Sequence, residues 1–248
     1  MAAGTSAERR VAVVGGGSTG IGAAVSRRLD ADGYRVVVVG SKSVEEGNAL
    51  VAELRDGMFL QADLGDPDGP AGVVRQVEER LGRLDALVYS AGKTARIPHP
   101  NIHEVTDDVW SGILQMNVLA PWHFVQAAEP LLRKSGDGSI VMVGALAGVD
   151  VGGSSIPYAV SKAAMHHMCK LLGGALGPEI RVNAVAPGFI DTRWTAGWEE
   201  FRTQIQERVP LRRTGTPEEV AELVLGLIKS TYVTGQTVVA DGGLSLLV

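Results

Sequence analysis

The stretch Val11-Ala12-Val13-Val14-Gly15-Gly16-Gly17-Ser18-Thr19-Gly20-Ile21-Gly22 decides the fold. An unbroken apolar run, a glycine-rich turn and the start of a helical pattern follow one another in it. The apolar run reads as a strand buried on both faces. The glycines let the backbone turn tightly and approach a ligand closely. A helix opening directly after such a turn aims free N–H groups and the positive end of its dipole at whatever sits there. A pyrophosphate fits that place. The spacing satisfies G-x-x-x-G-x-G through Gly16, Gly20 and Gly22, with Ser18, Thr19 and Ile21 set among them.

The same alternation runs outward through the chain. Apolar runs recur at Val36–Val39, Met58–Leu60, Ala86–Tyr89, Ile140–Val143, Val182–Ala186 and Thr237–Ala240. Between them lie segments of helical period, at Gly20–Asp32, Val44–Arg55, Pro67–Leu81, Asp107–Lys134, Ile156–Leu176 and Pro217–Ile228. Strand–helix alternation of this kind predicts a mostly parallel sheet with helices on both faces. Ser43-x-x-Glu46 and Thr216-x-x-Glu219 read as capping boxes, with Pro217 at the first helical position. Gly33 reads as a helix stop, and Pro121, inside the fourth helical segment, should bend it. With no repeat or linker, the expectation is an α/β, single-domain, Rossmann-type doubly wound fold of seven strands over residues 1–248.

Composition narrows the function classes. A net charge of -5 over 248 residues, with no basic stripe, argues against nucleic acid as a partner and against an anionic membrane surface. The single cysteine, Cys169, can form no intrachain disulfide and reads as a small core residue. Met1 to Arg10 lacks the apolar centre of a signal peptide, and no apolar run would span a bilayer, so the default compartment is the cytoplasm. His166 and His167 are adjacent on a helix and cannot share a face, and no ligand set completes a metal site. His99 and His103 read as members of an exposed loop.

The end of the second strand bears on the cofactor. Binders of NAD place Asp or Glu there to accept from the ribose hydroxyls. Here the residues are Gly40-Ser41-Lys42-Ser43, with no carboxylate to repel a 2′-phosphate. Ser41 can donate and Lys42 can supply charge, so NADP(H) is expected over NAD(H), which stays possible. Further along, Tyr158 and Lys162 lie four apart in a helical segment and share a face. A neighbouring ammonium favours a phenolate, which suits a tyrosine that exchanges a proton with an alcohol or ketone oxygen.

Taken together, these motifs resemble the short-chain dehydrogenase/reductase family in its common form of about 250 residues. The resemblance covers nearly the whole chain. It rests on Gly16-x-x-x-Gly20-Ile21-Gly22, Gln61-Ala62-Asp63-Leu64, Tyr89-Ser90-Ala91-Gly92, Met116-Asn117-Val118 and Tyr158-x-x-x-Lys162. Arg181 to Gly188 and Thr234-Gly235-Gln236 with Asp241-Gly242-Gly243 complete it. The resemblance implies an oxidoreductase passing hydride between a nicotinamide cofactor and a small carbonyl or alcohol. It implies Tyr158 as general acid–base, Lys162 on the nicotinamide ribose and Asn117 holding a water near the bend at Pro121. It places Asp63 on the adenine, with Leu64, Ala91 and Gly92 nearby, and Pro187, Gly188, Ile190 and Thr192 around the carboxamide. It also implies a homo-oligomer, dimer or tetramer, paired through the helices around Asn117 and Lys162.

The chain departs from the family at one informative place. The catalytic serine is expected thirteen residues before the tyrosine, and that position holds Ala145. Ser154 or Ser155 could supply the missing hydroxyl, or a water or substrate group could replace it. Otherwise the chain binds its cofactor with weak, absent or non-redox chemistry. Gly15 stands where threonine is usual, and Tyr89 and Ser90 replace two asparagines. Residues 189–213 correspond to the family's mobile lid. Trp194 and Trp198 in it suit an apolar or ring-shaped substrate, or serve lid packing.

Overall fold

The computed structural model describes residues 9–247, so the reading of Met1 to Arg10 lies, up to residue 8, outside the described residues. The elements run β1 (Val11–Gly15), α1 (Gly20–Ala31), β2 (Arg35–Gly40), α2 (Val44–Glu53), β3 (Gly57–Gln61), α3 (Gly69–Leu81), β4 (Ala86–Tyr89) and α4 (Asp107–Leu114). They continue α5 (Ala120–Ser135), β5 (Gly138–Val143), α6 (Ile156–Ala175), β6 (Ile180–Pro187), α7 (Glu199–Arg208), α8 (Pro217–Lys229) and β7 (Thr237–Ala240).

The seven strands form one sheet in the order β3-β2-β1-β4-β5-β6-β7, and every pairing is parallel. Valine dominates β1 and β2, and both are buried along nearly their whole length. Alternate residues feed opposite faces: Val11, Val13, Val37 and Val39 join the core under α3, α5 and α6. Ala12, Val14, Val36 and Val38 join the core under α1, α2 and α8. Each fully buried valine contributes roughly 1.5–3 kcal/mol of transfer free energy, which is why the strands read as continuous apolar runs.

Strand order reverses between β1 and β4. Their carboxyl ends therefore diverge into a crevice, where open parallel sheets bind ligands. At the opposite rim Asp85 accepts from the Val11 backbone N–H at 2.7 Å and pairs with Arg83 at 2.7 Å, which fixes the start of β1.

The structure corrects several expected elements. The helical segment from Asp107 to Lys134 is two helices joined by a π-helical turn, Gln115–Leu119. Pro121 lacks the N–H that an unbroken α-helix would need, and it sits at the start of α5. The buried Tyr89 hydroxyl donates to the Met116 carbonyl at 2.6 Å and anchors the widened turn. The segment expected to start at Pro67 begins as α3 at Gly69, because Asp66 first forms a turn with the Asp68 N–H. Thr216 and Glu219 do form a capping box, but Ser43 makes no capping bond. Glu46 pairs instead with Arg193. Gly33 has φ +96 just past α1, the left-handed geometry of a helix stop. Helix α7, inside the segment read as a lid, had no sequence expectation; its polar character hides it from a search for apolar period. No helix among the described residues is long and apolar enough to cross a membrane.

Candidate active site

The crevice floor is the turn after β1. Gly16 has φ +74, and a Cβ there would lie 2.6 Å from the Ala91 backbone nitrogen. That close approach holds the turn against Ala91 and Gly92, which follow β4. The Gly16 and Gly17 N–H groups both donate to the Val39 carbonyl at 3.0 Å, tying the turn to β2. Thr19 caps α1 without a side-chain bond, and the first turn of α1 carries no acidic residue. The first turn of α1 therefore adds no negative charge of its own to the N–H groups at the crevice. Ser18 is buried with no hydrogen-bond partner for its Oγ. A buried orphan hydroxyl beside a glycine cradle suits the phosphate and ribose oxygens of a dinucleotide. Gly15, where a threonine side chain would be usual, packs instead against Leu64 and Phe124, each 3.0 Å from where its Cβ would stand.

Ser41 and Lys42 are exposed at the end of β2, and the Ser41 carbonyl accepts from the Gln61 side chain at 3.0 Å. Asp63 is exposed after β3 and accepts from the Gly65 N–H at 2.9 Å, while Leu64 is buried. Ser41 and Asp63 thus follow β2 and β3, the strands beyond β1 in the sheet order.

Asn117, Lys162 and Trp194 converge on Gly92. A Cβ on that glycine would lie 3.5 Å from Asn117 Oδ1, 3.9 Å from Lys162 Nζ and 3.9 Å from Trp194 Cη2. Asn117 is fully buried and its amide is fully engaged. Its Oδ1 accepts from the Lys93 N–H at 2.8 Å, and its Nδ2 donates to the Lys93 carbonyl and to Ser161 Oγ, both at 2.9 Å. Ser161 Oγ in turn donates to the Tyr158 carbonyl at 2.7 Å. One polar chain thus links the segment after β4, the π-helical turn and the first turn of α6.

Tyr158 and Lys162 share a face of α6, and Lys162 Nζ stands 5.8 Å from the centre of the Tyr158 ring. Lys162 is buried and donates to the Val143 carbonyl at 2.9 Å. Burial pushes the Lys162 ammonium down to about 8 and the Tyr158 phenol up to about 12. The sequence suggested a phenol lowered by its lysine. Desolvation by burial dominates both groups instead.

Ala145 follows β5 in extended backbone and opens the short turn Leu146–Gly148. Ser155, one of the candidate hydroxyls, is fully buried and caps α6 by accepting from the Tyr158 N–H at 3.4 Å, so it does not face the pocket. Ser154 bonds the Thr94 hydroxyl across the two walls of the cleft. His166, one turn beyond Lys162, lies half-buried against Gly144 and Gly148, and its Cε1 is 2.9 Å from where a Gly148 Cβ would stand. Neither ring nitrogen has a well-formed hydrogen bond. Burial first, then the Lys162 charge, pushes the imidazole down to about 4. Its packing against two glycines across the fold carried no signal in the sequence.

Pro187 ends β6. Gly188 packs against Asp241, whose Cβ would be 2.8 Å from a Cβ at that glycine, and Ile190 is buried. Thr192 touches Gly20 of the cradle, its side-chain atoms 3.5 and 3.6 Å from where a Gly20 Cβ would stand. Beyond it, Phe189, Trp198 and Phe201 form an aromatic cluster with ring centres 5.5–6.4 Å apart. The Arg96 guanidinium lies 4.2 Å over the Trp198 ring. Cys169 is buried in the core, with its thiol pushed up to about 12 by burial. Among the described residues no cluster of His, Cys, Asp or Glu could hold a metal ion.

A parallel sheet with a glycine cradle at its reversal, and a tyrosine–lysine helix facing it, places the chain in a known class. It belongs to the short-chain dehydrogenase/reductase family. A family model described as enoyl-(acyl carrier protein) reductase matches residues 16–245. A Streptomyces violaceoruber protein, named provisionally as ketoacyl reductase 2 of the granaticin polyketide synthase, is 46% identical over 243 residues, covering 97% of this chain and 98% of the relative. The 3-oxoacyl-[acyl-carrier-protein] reductase FabG of Thermotoga maritima is 35% identical, covering 96% and 98%. Among solved structures, an actinorhodin polyketide ketoreductase variant with NADPH has a TM-score of 0.87 at 30% identity, covering 95% of this chain and 97% of that one. The homologues are reductases, and the chain is similar to them over almost its full length.

Proposed function

We propose that this chain is an NADP(H)-dependent ketoreductase or alcohol dehydrogenase. Residues 1–248 act as one dinucleotide-binding domain, with residues 189–213 as its lid. The observation that carries the reading is the convergence of Asn117, Lys162 and Trp194 on Gly92, beside the glycine cradle and one helical turn from Tyr158. Gly16, Ser18, Thr19, Gly20 and Ile21 fit the pyrophosphate, Ser41 and Lys42 the 2′-phosphate, and Asp63 the adenine. Pro187, Gly188, Ile190 and Thr192 border the nicotinamide. The reductase names of the relatives and the NADPH of the solved neighbour favour a ketone substrate, with an oxoacyl chain or a polyketide ring as the leading class.

When bound, the nicotinamide supplies or accepts the hydride. The chain supplies the proton. A phenol pushed up to about 12 is protonated at neutral pH, so Tyr158 Oη is set to donate to a carbonyl oxygen. Lys162 would hold the nicotinamide ribose, and its ammonium, on the same face of α6 as the phenol, would ease that transfer. Asn117 and Ser161 fix the turn of α6 that carries the tyrosine. The exposed apolar Leu119, Trp122, Val160 and Leu171 on and beside α5 and α6 favour self-association of this chain.

Ala145 favours a second reading. If it occupies the position of the family's catalytic serine, one hydrogen bond to the substrate oxygen is missing. Loss of such a donor costs roughly 10²–10³ in rate. The chain would then bind cofactor with slow or non-redox chemistry. The test is NADPH and NADH oxidation with oxoacyl thioesters and cyclic ketones by the wild-type chain, Tyr158→Phe and Ala145→Ser. The expected pattern is NADPH-dependent reduction, abolished in Tyr158→Phe and faster in Ala145→Ser. Turnover that survives Tyr158→Phe overturns the acid–base role. Tight NADPH binding with no turnover selects the second reading.

A further inference from the structure

Contacts from three segments flank the glycine turn. The turn is tied to Val39, with Ser18 packed under Gly40. Thr192 reaches down onto Gly20, and the next residue, Arg193, reaches α2, its Nη1 2.8 Å from Glu46 Oε1. Ser41 and Lys42 precede Glu46 by five and four residues, so a dinucleotide reaching from the cradle to them would run close to that guanidinium. Glu46 is free for this contact because Ser43 does not draw it into a capping box. The Arg193 hydrogen bond, ahead of the Glu46 backbone N–H, holds the carboxyl below its usual range.

The pair is open to exchange. Arg193 is 72% exposed and Glu46 42%, and exposed ion pairs are weakly held. A phosphate offers a guanidinium more charge and two parallel hydrogen bonds. We propose that Arg193 is a phosphate-binding residue of the cofactor site, held by Glu46 in the free protein and transferred to a dinucleotide phosphate on binding. The inference rests on the dinucleotide reading above and adds a lid residue to the cradle.

The test is equilibrium titration of NADPH and of NADH, followed by calorimetry at low and high salt. The proteins are wild type, Arg193→Ala, Arg193→Lys and Glu46→Gln, each checked for an unchanged circular dichroism spectrum. Arg193→Ala is expected to weaken NADPH about tenfold or more and to flatten its salt dependence. Arg193→Lys falls between. Glu46→Gln, which removes the competing carboxylate, tightens binding by about two- to fivefold. An equal loss for NADH assigns the contact to the shared pyrophosphate, and a loss confined to NADPH assigns it to the 2′-phosphate; both support the exchange. Wild-type binding that Arg193→Ala leaves within about twofold overturns it. So does a Glu46→Gln loss matching that of Arg193→Ala, since the pair would then only latch the lid. A wild-type chain binding neither dinucleotide removes the parent reading and this one together.

Discussion

Replacing Asn117 with alanine deletes three hydrogen bonds at once: one from the Lys93 N–H, one to its carbonyl and one to Ser161 Oγ. The Lys93 groups are partly buried, so water can recover some of their loss. Ser161 Oγ is buried and recovers less. At about 1 kcal/mol for each bond the cost is about 3 kcal/mol. In a chain of this size that lowers Tm by about 6–12 °C. Asn117→Asp keeps the acceptor for the Lys93 N–H and loses both donors, so it falls short of the alanine loss only if its charge is tolerated. The assay is scanning calorimetry of both variants without cofactor. A Tm for Asn117→Ala within about 2 °C of wild type would mean the amide stabilises nothing, and the argument that it fastens the β4 segment to α6 would be wrong.

Lys162 has a folded pKa of about 8 against an ordinary 10.5, so the native state binds fewer protons than the unfolded chain between those values. Stability therefore rises with pH across that window, and the charged lysine costs up to about 3 kcal/mol below it. Lys162→Met is expected to raise Tm at pH 7, with a smaller gain at pH 9.5, while removing turnover; a gain independent of pH would refute the assignment. His166, lowered to about 4 from 6.5, takes up its proton more readily when unfolded, so stability falls as pH drops from 6.5 toward 4. Denaturant midpoints of His166→Leu should show a shallower acid decline than wild type, and parallel curves would rule His166 out. Gly22→Ala would bring a Cβ against Gly16 backbone and within 2.9 Å of Gly17 Cα. It should cost roughly 1–3 kcal/mol by overpacking and weaken dinucleotide binding; unchanged melting and affinity would show that the turn relaxes freely.

The strands were legible because parallel strands buried on both faces write themselves as runs of valine and isoleucine, and their turns as glycine. The seven strands and the cradle at Gly16–Gly22 follow from that. What escaped was set by contacts between distant segments. The π-helical turn depends on the Tyr89 hydroxyl reaching the Met116 carbonyl, 27 residues on, and no periodicity reports that. Glu46 left a plausible capping box for an arginine 147 residues away. Helix α7 is polar over most of its length and buries Ile205, with Phe201 in the aromatic cluster, so two residues four apart are too few to write an apolar stripe. Ser155 looked like a pocket hydroxyl by its distance from Tyr158, but its place at the start of α6 turned it into a cap.

Because all seven strands point the same way, the molecule has two unlike rims. One gathers the loops after β1, β4, β5 and β6, where Gly16, Gly92, Ala145 and Gly188 stand. The other holds supports such as the Asp85 carboxylate under Val11. Under the proposed function, substitutions along Lys93–Pro98 or Phe189–Arg213 would redraw what the site accepts while the supporting rim stays untouched, and a destabilising change at the supporting rim would alter abundance without altering what is made.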